Sequence, residues 1–514
     1  MKIIAIIGFG FCGRMALYYL AKKSVQNIKV IIFDKSAKTG LGPAFSSFSP
    51  HYILNVPTEK MSAFSDKPQD FCQFVEKNYP QIWQEVGAKG FAPRKIYGEY
   101  IDALTKAALI EAKNNNVEVE FVEEDVVEIA DIDQNFILNT ASKKSYKASE
   151  ILLATSFSQS ELPYKFDNKK FIKKLWDKGV LNFHQGEFVV DEKICLIGSG
   201  LTTVDVIVGL KNKNFRGKII AISRRGNFPR KHFAENPIKS PIISVADAKN
   251  GIVFLCLKFR KFLAANPQFD LCQAIDFIRP ITKELWQNLD AKNRKLFLRL
   301  LPYWNIFRHR APASSIEIIE EMIATKQLEI KKCGVKKIEE KNAKFEVETK
   351  DDKMLCDYVV NCLGFEFRAE KYPLLNQMLG ANLLKKDLFL VSSNHSKIHL
   401  LGGLNISRDF ECTAVPDLRT SVEDVLINNK KAKYQQQKMA FLDSLQPDDF
   451  RNGGSFNQAE IIIDDLNKAL CRAVIKQENA QDFIAKAAKN LFREGSPAVE
   501  RAINLANFYM EIIN

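Results

Sequence analysis

Residues 1–20 read MKIIAIIGFGFCGRMALYYL, and this stretch decides the first half of the fold. Its apolar run, residues 3–8, is typical of a strand buried on both faces of a parallel sheet. Gly8, Gly10 and Gly13 then give the spacing G-x-G-x-x-G. The first glycine permits a tight turn, the second allows close approach of a pyrophosphate, and the third lets a helix pack on the strand. The stretch therefore predicts a strand, a glycine turn and a phosphate-binding helix N-terminus.

An acidic residue lies at the end of the next predicted strand, IKVIIFD. This residue is Asp34, which follows Gly8 by 34 − 8 = 26 residues. A carboxylate at that place accepts hydrogen bonds from a ribose 2′-hydroxyl. Because it would repel a 2′-phosphate, we expect the first unit to bind FAD or NAD rather than NADP.

A second stretch of the same kind, KICLIGSGLTTVDVIVGL, occupies residues 193–210. Gly198 and Gly200 repeat the first two glycines, while Thr203 replaces the third. The pattern again predicts a buried strand, a glycine turn and a helix. One chain therefore carries two dinucleotide-binding units.

The second unit differs in charge from the first. Its next strand, residues 217–223, is followed by Arg224 and Arg225, and Arg224 follows Gly198 by 224 − 198 = 26 residues, the offset of Asp34. An arginine pair suits a 2′-phosphate through charge and forked hydrogen bonds, although solvated surface arginines would give the same pattern. The predicted pair is FAD and NADPH, because a flavin accepts hydride from NADPH.

With these residues in place, the chain resembles the FAD-NAD(P)-binding family of two-dinucleotide flavoproteins. That family is related to flavin-containing and N-hydroxylating monooxygenases and to glutathione-reductase-type enzymes. The resemblance covers roughly residues 1–428. Besides the glycine turns it rests on five blocks: GLGPAFSSFSPHYILNVPTEKMSAF at 40–64, FAPRKIYGEYI at 91–101, LPYWNIFRHRAPAS at 301–314, VVNCLGFEF at 359–367 and ECTAVPDLRTSVEDV at 411–425.

The resemblance implies a set of cofactor-binding residues but assigns no catalytic side chain. Asn55 could contact the flavin or the nicotinamide, or be a turn asparagine. Arg94 could meet the FAD pyrophosphate or pair with a carboxylate. On the FAD side the set is Gly8, Gly10, Phe11, Cys12, Gly13, Asp34, Lys35, Gly42, Asn55, Arg94, Gly364, Ala414 and Val415, and on the NADP side it is Gly198, Gly200, Leu201, Thr202, Ser223, Arg224 and Arg225.

Two features leave alternatives open. Ser156 stands where such families usually carry the glycine of an Ala-Thr-Gly turn near the FAD. Arg308, His309 and Arg310 could bind an anionic substrate, help to hold NADPH, or form a structural node of ion pairs. His232, in PRKH, is interpreted as a solvated histidine.

The resemblance implies an α/β fold with two Rossmann-like dinucleotide-binding domains, the NADP domain being inserted in the FAD domain. Residues 1–165 and 355–428 would form the FAD domain, with the chain re-entering its sheet at CDYVVNCLG, and residues 190–350 the NAD(P) domain. A helical insertion at about 230–303 would cover the substrate side or act as a lid. Amphipathic patterns predict a helical C-terminal extension at 430–514, suited to packing or to homo-oligomer formation.

Composition excludes several classes of protein. The ten cysteines include no C-x-x-C pair and mostly lie in apolar segments, which suits a reducing cytosol. No Cys/His cluster indicates a metal, and no apolar run reaches membrane-spanning length. The net charge of +13 is scattered, so we expect no nucleic-acid binding. The apolar N-terminus is interpreted as a strand rather than a signal peptide.

The sequence therefore predicts a cytoplasmic FAD-dependent oxidoreductase that uses NADPH and acts on a small molecule. Family analogy favours a monooxygenase of a small, amine-containing substrate. A flavin reductase without oxygenation is the nearest alternative. A non-catalytic flavin or NADPH sensor, or a scaffold using the C-terminal helices, is the alternative from another class.

Overall fold

The computed structural model describes residues 1–22, 27–36, 40–42, 44–45, 51–175, 192–233, 238, 242–428, 492 and 496–513. The described strands are β1 (Lys2–Ile7), β2 (Ile28–Phe33), β3 (Glu118–Val122), β4 (Val126–Ile132), β5 (Asn135–Thr140), β6 (Ser145–Ala148), β7 (Glu150–Leu153), β8 (Phe171–Ile172), β9 (Lys193–Ile197), β10 (Lys218–Ser223), β11 (Leu328–Lys332), β12 (Val335–Lys341), β13 (Lys344–Thr349), β14 (Lys353–Cys356), β15 (Tyr358–Asn361), β16 (Leu384–Lys386), β17 (Val391–Ser393) and β18 (Ile398–Leu400).

The described helices are α1 (Phe11–Ala21), α2 (Asp70–Asn78), α3 (Pro80–Val86), α4 (Arg94–Asn114), α5 (Leu201–Asn212), α6 (Gly251–Ala265), α7 (Leu271–Ile278), α8 (Thr282–Asn288), α9 (Ala291–Phe297), α10 (Leu301–Arg308), α11 (Ala313–Ala324), α12 (Pro373–Gly380), α13 (Ile406–Asp409), α14 (Val415–Glu423) and α15 (Pro497–Ile513). Short 3-10 helices lie at Thr58–Lys60, Val245–Asn250, Arg279–Ile281, Ala369–Lys371 and Gly402–Asn405. A π-helical turn at Asp424–Asn428 follows α14.

The first sheet has the strand order β18-β7-β1-β2-β3, and all its pairings are parallel. Its central strand β1 is buried over its last four residues, as its apolar run predicts. β1, α1 and β2 form the first predicted unit. The antiparallel sheet β4-β5-β6 lies between β3 and β7 in the chain.

The second sheet has the order β11-β10-β9-β15-β8, again parallel throughout. β9, α5 and β10 form the second predicted unit, and an antiparallel sheet β12-β13-β14 precedes β15. The two sheets therefore share one plan: β7 and β15, β1 and β9, β2 and β10, and β3 and β11 occupy matching positions.

One predicted strand lies in the other sheet. The segment at 359–367 was expected to re-enter the first sheet, but its strand β15 pairs with β9 and β8 in the second. The chain returns to the first sheet only at β18. An apolar run fits the buried middle of either sheet, so hydrophobicity alone does not distinguish the two places.

The insertion is helical, as its sequence pattern predicts, with α6–α10 spanning residues 251–308. Trp286 and Phe297 pack with Phe410, so the insertion shares a core with the segment before α14. In the C-terminal extension the structure describes Phe492, which is buried, and α15. The other helices predicted at 430–514 lie outside the described residues.

Candidate functional site

The first glycine turn has the geometry that G-x-G-x-x-G requires. Gly8 has a φ of +93°, and a Cβ there would lie 2.7 Å from the Ala154 carbonyl oxygen. A Cβ on Gly13 would lie 2.1 Å from the Gly8 carbonyl oxygen, so α1 packs directly on the turn. At Gly10 a Cβ would meet no atom within 4 Å in the part of the chain that the structure describes. The middle glycine therefore faces open space, where a pyrophosphate would approach.

Asp34 lies beside this turn and is already oriented by it. Its Oδ2 accepts the Phe9 backbone N–H at 2.8 Å, while Oδ1 accepts the Ser36 N–H at 2.9 Å. The carboxylate therefore sits at the sheet edge next to the glycine turn, which is the place for a ribose hydroxyl. Lys35, the next residue, pairs with Asp125 at 2.6 Å and is largely exposed.

Several predicted neighbours of the cofactor converge on the N-terminus of α1. Phe11 and Cys12 begin this helix and are buried. Gly42, with a φ of +77°, approaches Gly10, because a Cβ on Gly42 would lie 3.5 Å from the Gly10 Cα. Burial raises the pKa of the Cys12 thiol to about 12. Cys12 is thus a packing residue of the turn rather than a reactive thiolate.

The second glycine turn repeats the first. Gly198 has a φ of +126°, and a Cβ there would lie 2.6 Å from the Cys362 carbonyl oxygen, while a Cβ on Gly200 would meet nothing within 4 Å. Leu201 and Thr202 begin α5 directly after it. Thr203, in place of the third glycine, is fully buried within that helix. A threonine at this place is thus accommodated without closing the turn.

The strand register corrects the predicted match between the two units. Ile7 pairs with Phe33, so Gly8 lies opposite Asp34. Ile197 pairs with Ile222, so Gly198 lies opposite Ser223, not Arg224. The connection in the second unit is one residue shorter, which an equal offset along the sequence cannot show.

Ser223, Arg224 and Arg225 nevertheless follow the end of β10 together. The hydroxyls of Ser199 and Ser223 are 2.8 Å apart, and the Gly226 N–H donates to the Ser223 Oγ at 3.0 Å. Arg224 is exposed. Within the described residues, neither arginine forms an ion pair with a carboxylate. This charge remains available to an anionic ligand.

Arg94 pairs with a carboxylate, one of its two predicted roles. Its Nη2 contacts both oxygens of Asp205 at 3.2 and 2.9 Å, and its Nε donates to the Ile53 carbonyl at 3.1 Å. Burial raises the pKa of Asp205, and the Arg94 charge opposes this shift. Arg94 thus joins α4 of the first unit to α5 of the second.

The segment containing Asn55 meets the second unit at a histidine. The His232 Nε2 lies 3.0 Å from the Asn55 carbonyl oxygen, and the His232 ring packs against Phe91. Burial lowers the pKa of His232 to about 4, although the Asn55 carbonyl opposes this shift. His232 is therefore a neutral, half-buried contact between the units, not the solvated residue that was predicted.

The basic run 308–310 divides into two environments. Arg308 Nε and Nη2 donate to the Glu411 Oε2 at 2.8 and 2.7 Å, which is the structural ion pair. Arg310 contacts Asp276, but its buried Nε and Nη1 have no hydrogen-bond partner among the described residues. Burial lowers the pKa of His309 to about 4. Arg308 therefore fits the structural node of ion pairs that was one of the predicted roles. Arg310 keeps two N–H donors that have no partner among the described residues.

The C-terminal side of the first sheet adds residues that the sequence analysis missed. Gly402 follows β18 with a φ of +59°, and a Cβ there would lie 2.4 Å from the Cys12 Sγ. Its N–H donates to the Ser421 Oγ at 3.0 Å, which ties β18 to α14. The pair Gly402-Gly403 after a short apolar strand was the available signal. These glycines bring the last strand against the first turn.

The remaining predicted residues lie in two places. Ala414 and Val415 are the N-cap and first residue of α14, the helix that packs on α1. Gly364 follows β15, and its carbonyl accepts the Ser160 N–H at 2.9 Å. Ser156 is exposed, and its φ is not positive, so a side chain at that turn is not strained.

The geometry agrees with comparisons to known proteins. Residues 5–158 match the family model described as FAD-NAD(P)-binding. This part of the chain is similar to FAD-NAD(P)-binding domains. No curated protein sequence matches the chain closely enough to count as a relative.

Solved structures share the fold over most of the chain. The reduced ornithine hydroxylase of Pseudomonas aeruginosa has a TM-score of 0.56 at 14% identity, covering 83% of this chain and 98% of that one. The L-lysine 6-monooxygenase of Pseudomonas syringae has a TM-score of 0.56 at 13% identity, with coverage of 83% and 98%. The Kutzneria ornithine N-hydroxylase, solved with reduced FAD, NADP⁺ and L-ornithine, has a TM-score of 0.54 at 11% identity, with coverage of 84% and 99%.

These findings confirm the predicted fold class and the resemblance to two-dinucleotide flavoproteins. The chain has the fold of FAD- and NAD(P)H-dependent oxidoreductases, and the family match confirms the FAD/NAD(P) cofactor class for the first domain. Across the described part of the chain, no helix has the length and apolarity to cross a bilayer. The same residues include no group of three or more His, Cys, Asp or Glu placed to hold a metal ion.

Proposed function

We propose that the protein is an FAD-dependent oxidoreductase that takes hydride from NADPH and acts as a monooxygenase on a small molecule. One observation carries the cofactor part of this proposal. Each sheet presents a glycine turn whose middle glycine, Gly10 or Gly200, has room for a Cβ, which would meet no atom of the described residues within 4 Å. The two turns therefore offer two separate pyrophosphate sites in one chain.

The charges beside the turns support the assignment of one dinucleotide to each. Asp34 offers a carboxylate to a ribose hydroxyl in the first unit and would repel a 2′-phosphate. Ser223, Arg224 and Arg225 offer a hydroxyl and two cations at the matching edge of the second. FAD at the first turn and NADPH at the second follows from this asymmetry.

Bound FAD would supply hydride acceptance and the oxygen chemistry, and the chain would supply position and shielding from water. The α1 N-terminus stabilises the pyrophosphate charge. α14, which begins at Val415, packs on α1. The Arg94–Asp205 pair holds the two units in one orientation. The remaining predicted cofactor residues stay part of this proposal.

The two cysteines nearest the first glycine turn do not have the character of a disulfide reductase's thiols. Cys12 and Cys412 lie near the α1–α14 contact, and Cys412 is also buried. Burial raises the pKa of both thiols, that of Cys12 to about 12. A redox-active thiol needs thiolate character and access, and these two have neither.

The substrate class is proposed by analogy. The similar structures include an ornithine N-hydroxylase and an L-lysine 6-monooxygenase, so we propose a small molecule that carries an amine. Ornithine, lysine and 1,5-diaminopentane are accordingly the first compounds to test. We also propose that the protein is cytosolic and binds no nucleic acid. Residues 430–514 would mediate its self-association.

The first experiment is an anaerobic titration of the FAD-loaded protein with NADPH, and in parallel with NADH, following flavin absorbance. We expect NADPH to bleach the flavin band and NADH to do so poorly. Oxygen uptake and amine consumption are then measured together with NADPH and each amine. A monooxygenase consumes the amine along with oxygen, whereas a flavin reductase consumes no amine. If flavin binds but neither nucleotide reduces it, the oxidoreductase proposal is wrong and a sensor is favoured.

A further inference from the structure

The helical insertion contacts the second unit through an aromatic ring. Tyr303, in the first turn of α10, lies against Arg225, with the guanidinium carbon 5.1 Å from the ring centroid. Tyr303 belongs to the insertion, whereas Arg225 follows β10, so the two residues are 303 − 225 = 78 positions apart. The insertion therefore reaches the edge of the sheet where a nucleotide 2′-phosphate would lie.

The Tyr303 ring contacts the Arg225 guanidinium face. Among the described residues, no carboxylate or carbonyl accepts a hydrogen bond from Arg225, and no acidic side chain pairs with it. A planar guanidinium stacked on an aromatic face keeps its N–H donors in a fixed plane while they remain free for a phosphate. The ring thus orients the cation without neutralising it.

The ring is itself held in place by its neighbours on α10. Trp304 donates its Nε1–H to the Glu411 Oε1 at 2.9 Å, and Arg308 donates to the Glu411 Oε2 at 2.8 Å. Glu411 lies 415 − 411 = 4 residues before α14. The eight-residue helix α10, which is about 12 Å long, therefore connects the Arg225 edge to the segment that leads into α14.

Tyr303 is half exposed and is not part of the hydrophobic core, so its ring can contact Arg225 at the surface. Its exposed fraction is 49%, while its neighbour Trp304 packs against Phe297 and Phe410 in the insertion core. A large aromatic side chain that remains half exposed on a surface helix contributes little to the core. Its contact with Arg225 accounts for its position better than burial does.

We propose that Tyr303 is a positioning residue for nucleotide selectivity: its ring holds the Arg225 guanidinium ready for the 2′-phosphate of NADPH. This inference rests on the proposed NADPH site. It assigns to the insertion a part in choosing the reductant.

The test compares Tyr303→Leu with Tyr303→Phe in the FAD-loaded protein. Dissociation constants for NADP⁺ and NAD⁺ are measured by calorimetry, so that the readout does not depend on turnover. Loss of an exposed cation–π contact predicts NADP⁺ binding weakened roughly two- to fivefold by Tyr303→Leu, with NAD⁺ binding unchanged. Tyr303→Phe keeps the ring and should retain the unmodified selectivity.

Leu300→Ser is the matched control, because Leu300 is a partly exposed apolar residue directly before α10. Arg225→Ala, alone and combined with Tyr303→Leu, completes a double-mutant cycle. We expect the double variant to bind NADP⁺ no more weakly than Arg225→Ala.

Three results would overturn the inference. The first is an equal loss of NADP⁺ and NAD⁺ binding in Tyr303→Leu, which indicates a structural role. The second is additive loss in the double variant, which shows that the two residues act separately. The third is a selectivity in Tyr303→Leu equal to that of the unmodified protein. If the unmodified protein itself binds NADP⁺ no better than NAD⁺, the proposed NADPH site fails first, and this inference fails with it.

Discussion

Arg94 and Asp205 form a buried ion pair that joins the two dinucleotide-binding units. Both side chains are about nine-tenths buried, at 10% and 11% exposure, and the shortest contact is 2.9 Å. Tyr52, next to Ile53 in the chain, packs in the core of the second unit. The pair therefore lies in a dry contact, where each charge depends on the other.

Removing one partner should destabilise the protein strongly. We expect Arg94→Met to lower the free energy of unfolding by about 3–5 kcal/mol, because it leaves Asp205 buried without a counter-charge. Urea unfolding followed by circular dichroism measures the change. Lys95→Met is the control, since Lys95 is half exposed on the same helix and 3.9 Å from Glu99. Equal midpoints for the two variants would contradict the prediction.

The glycines of the first turn should separate cofactor binding from folding. Gly10→Ala places a methyl group where no atom of the described residues lies within 4 Å, so the apoprotein should keep its stability while FAD affinity falls at least roughly tenfold. Gly13→Ala should instead destabilise the apoprotein, since its Cβ would lie 2.1 Å from the Gly8 oxygen. Flavin fluorescence titration and thermal unfolding give the two readouts. Unchanged FAD binding in Gly10→Ala would show that the pyrophosphate does not pass this glycine.

The register of the second unit predicts which residue controls the choice between NADPH and NADH. Ser223 occupies the place of Asp34, so Ser223→Asp should put a carboxylate beside the ribose and repel a 2′-phosphate. We expect NADPH affinity to fall by roughly one to two orders of magnitude and NADH to become the better reductant. Asn214→Asp, at an exposed position after α5, controls for added charge. A variant that still prefers NADPH would favour Arg224 as the matching residue.

His232 should make the protein less stable in mild acid. Its folded pKa of about 4 lies below the ordinary value of 6.5, so on acidification the unfolded chain binds a proton before the folded chain does. The stability present above pH 6.5 should therefore decline as the pH falls toward 4, by up to about 3 kcal/mol. Urea unfolding at several pH values measures this slope, which should be shallower in His232→Gln. An equal slope in His232→Gln would contradict the prediction.

Local sequence patterns were sufficient for the two glycine turns and the strand–turn–helix units. Each turn is encoded within about 20 residues, and hydrophobic runs mark buried strands of any parallel sheet. Ser223 and Arg224 show the limit of this reasoning. Ser223, and not Arg224, lies opposite Gly198 because the connection is one residue shorter. Only the pairing of β9 with β10 shows this difference.

Contacts between distant segments could not be predicted in the same way. Two roles were open for Arg94, and the choice between them depended on Asp205, which is 205 − 94 = 111 residues away. Gly402 was missed because its contact with Cys12 joins the two ends of the first domain. Pairings of this kind arise from tertiary packing, which propensity and periodicity do not report.

The strand orders of the two sheets have one more consequence. The chain that leaves β7 in the first sheet supplies β8 to the edge of the second, and the chain that leaves β15 in the second supplies β18 to the edge of the first. The edge strand of each sheet thus comes from the chain segment that leaves the other sheet. Two protomers exchange strands in this way in a domain-swapped dimer, but here the exchange lies within one polypeptide. Neither unit forms its complete sheet without a strand that follows the other sheet in the chain. The two units should therefore fold and unfold together in one cooperative transition.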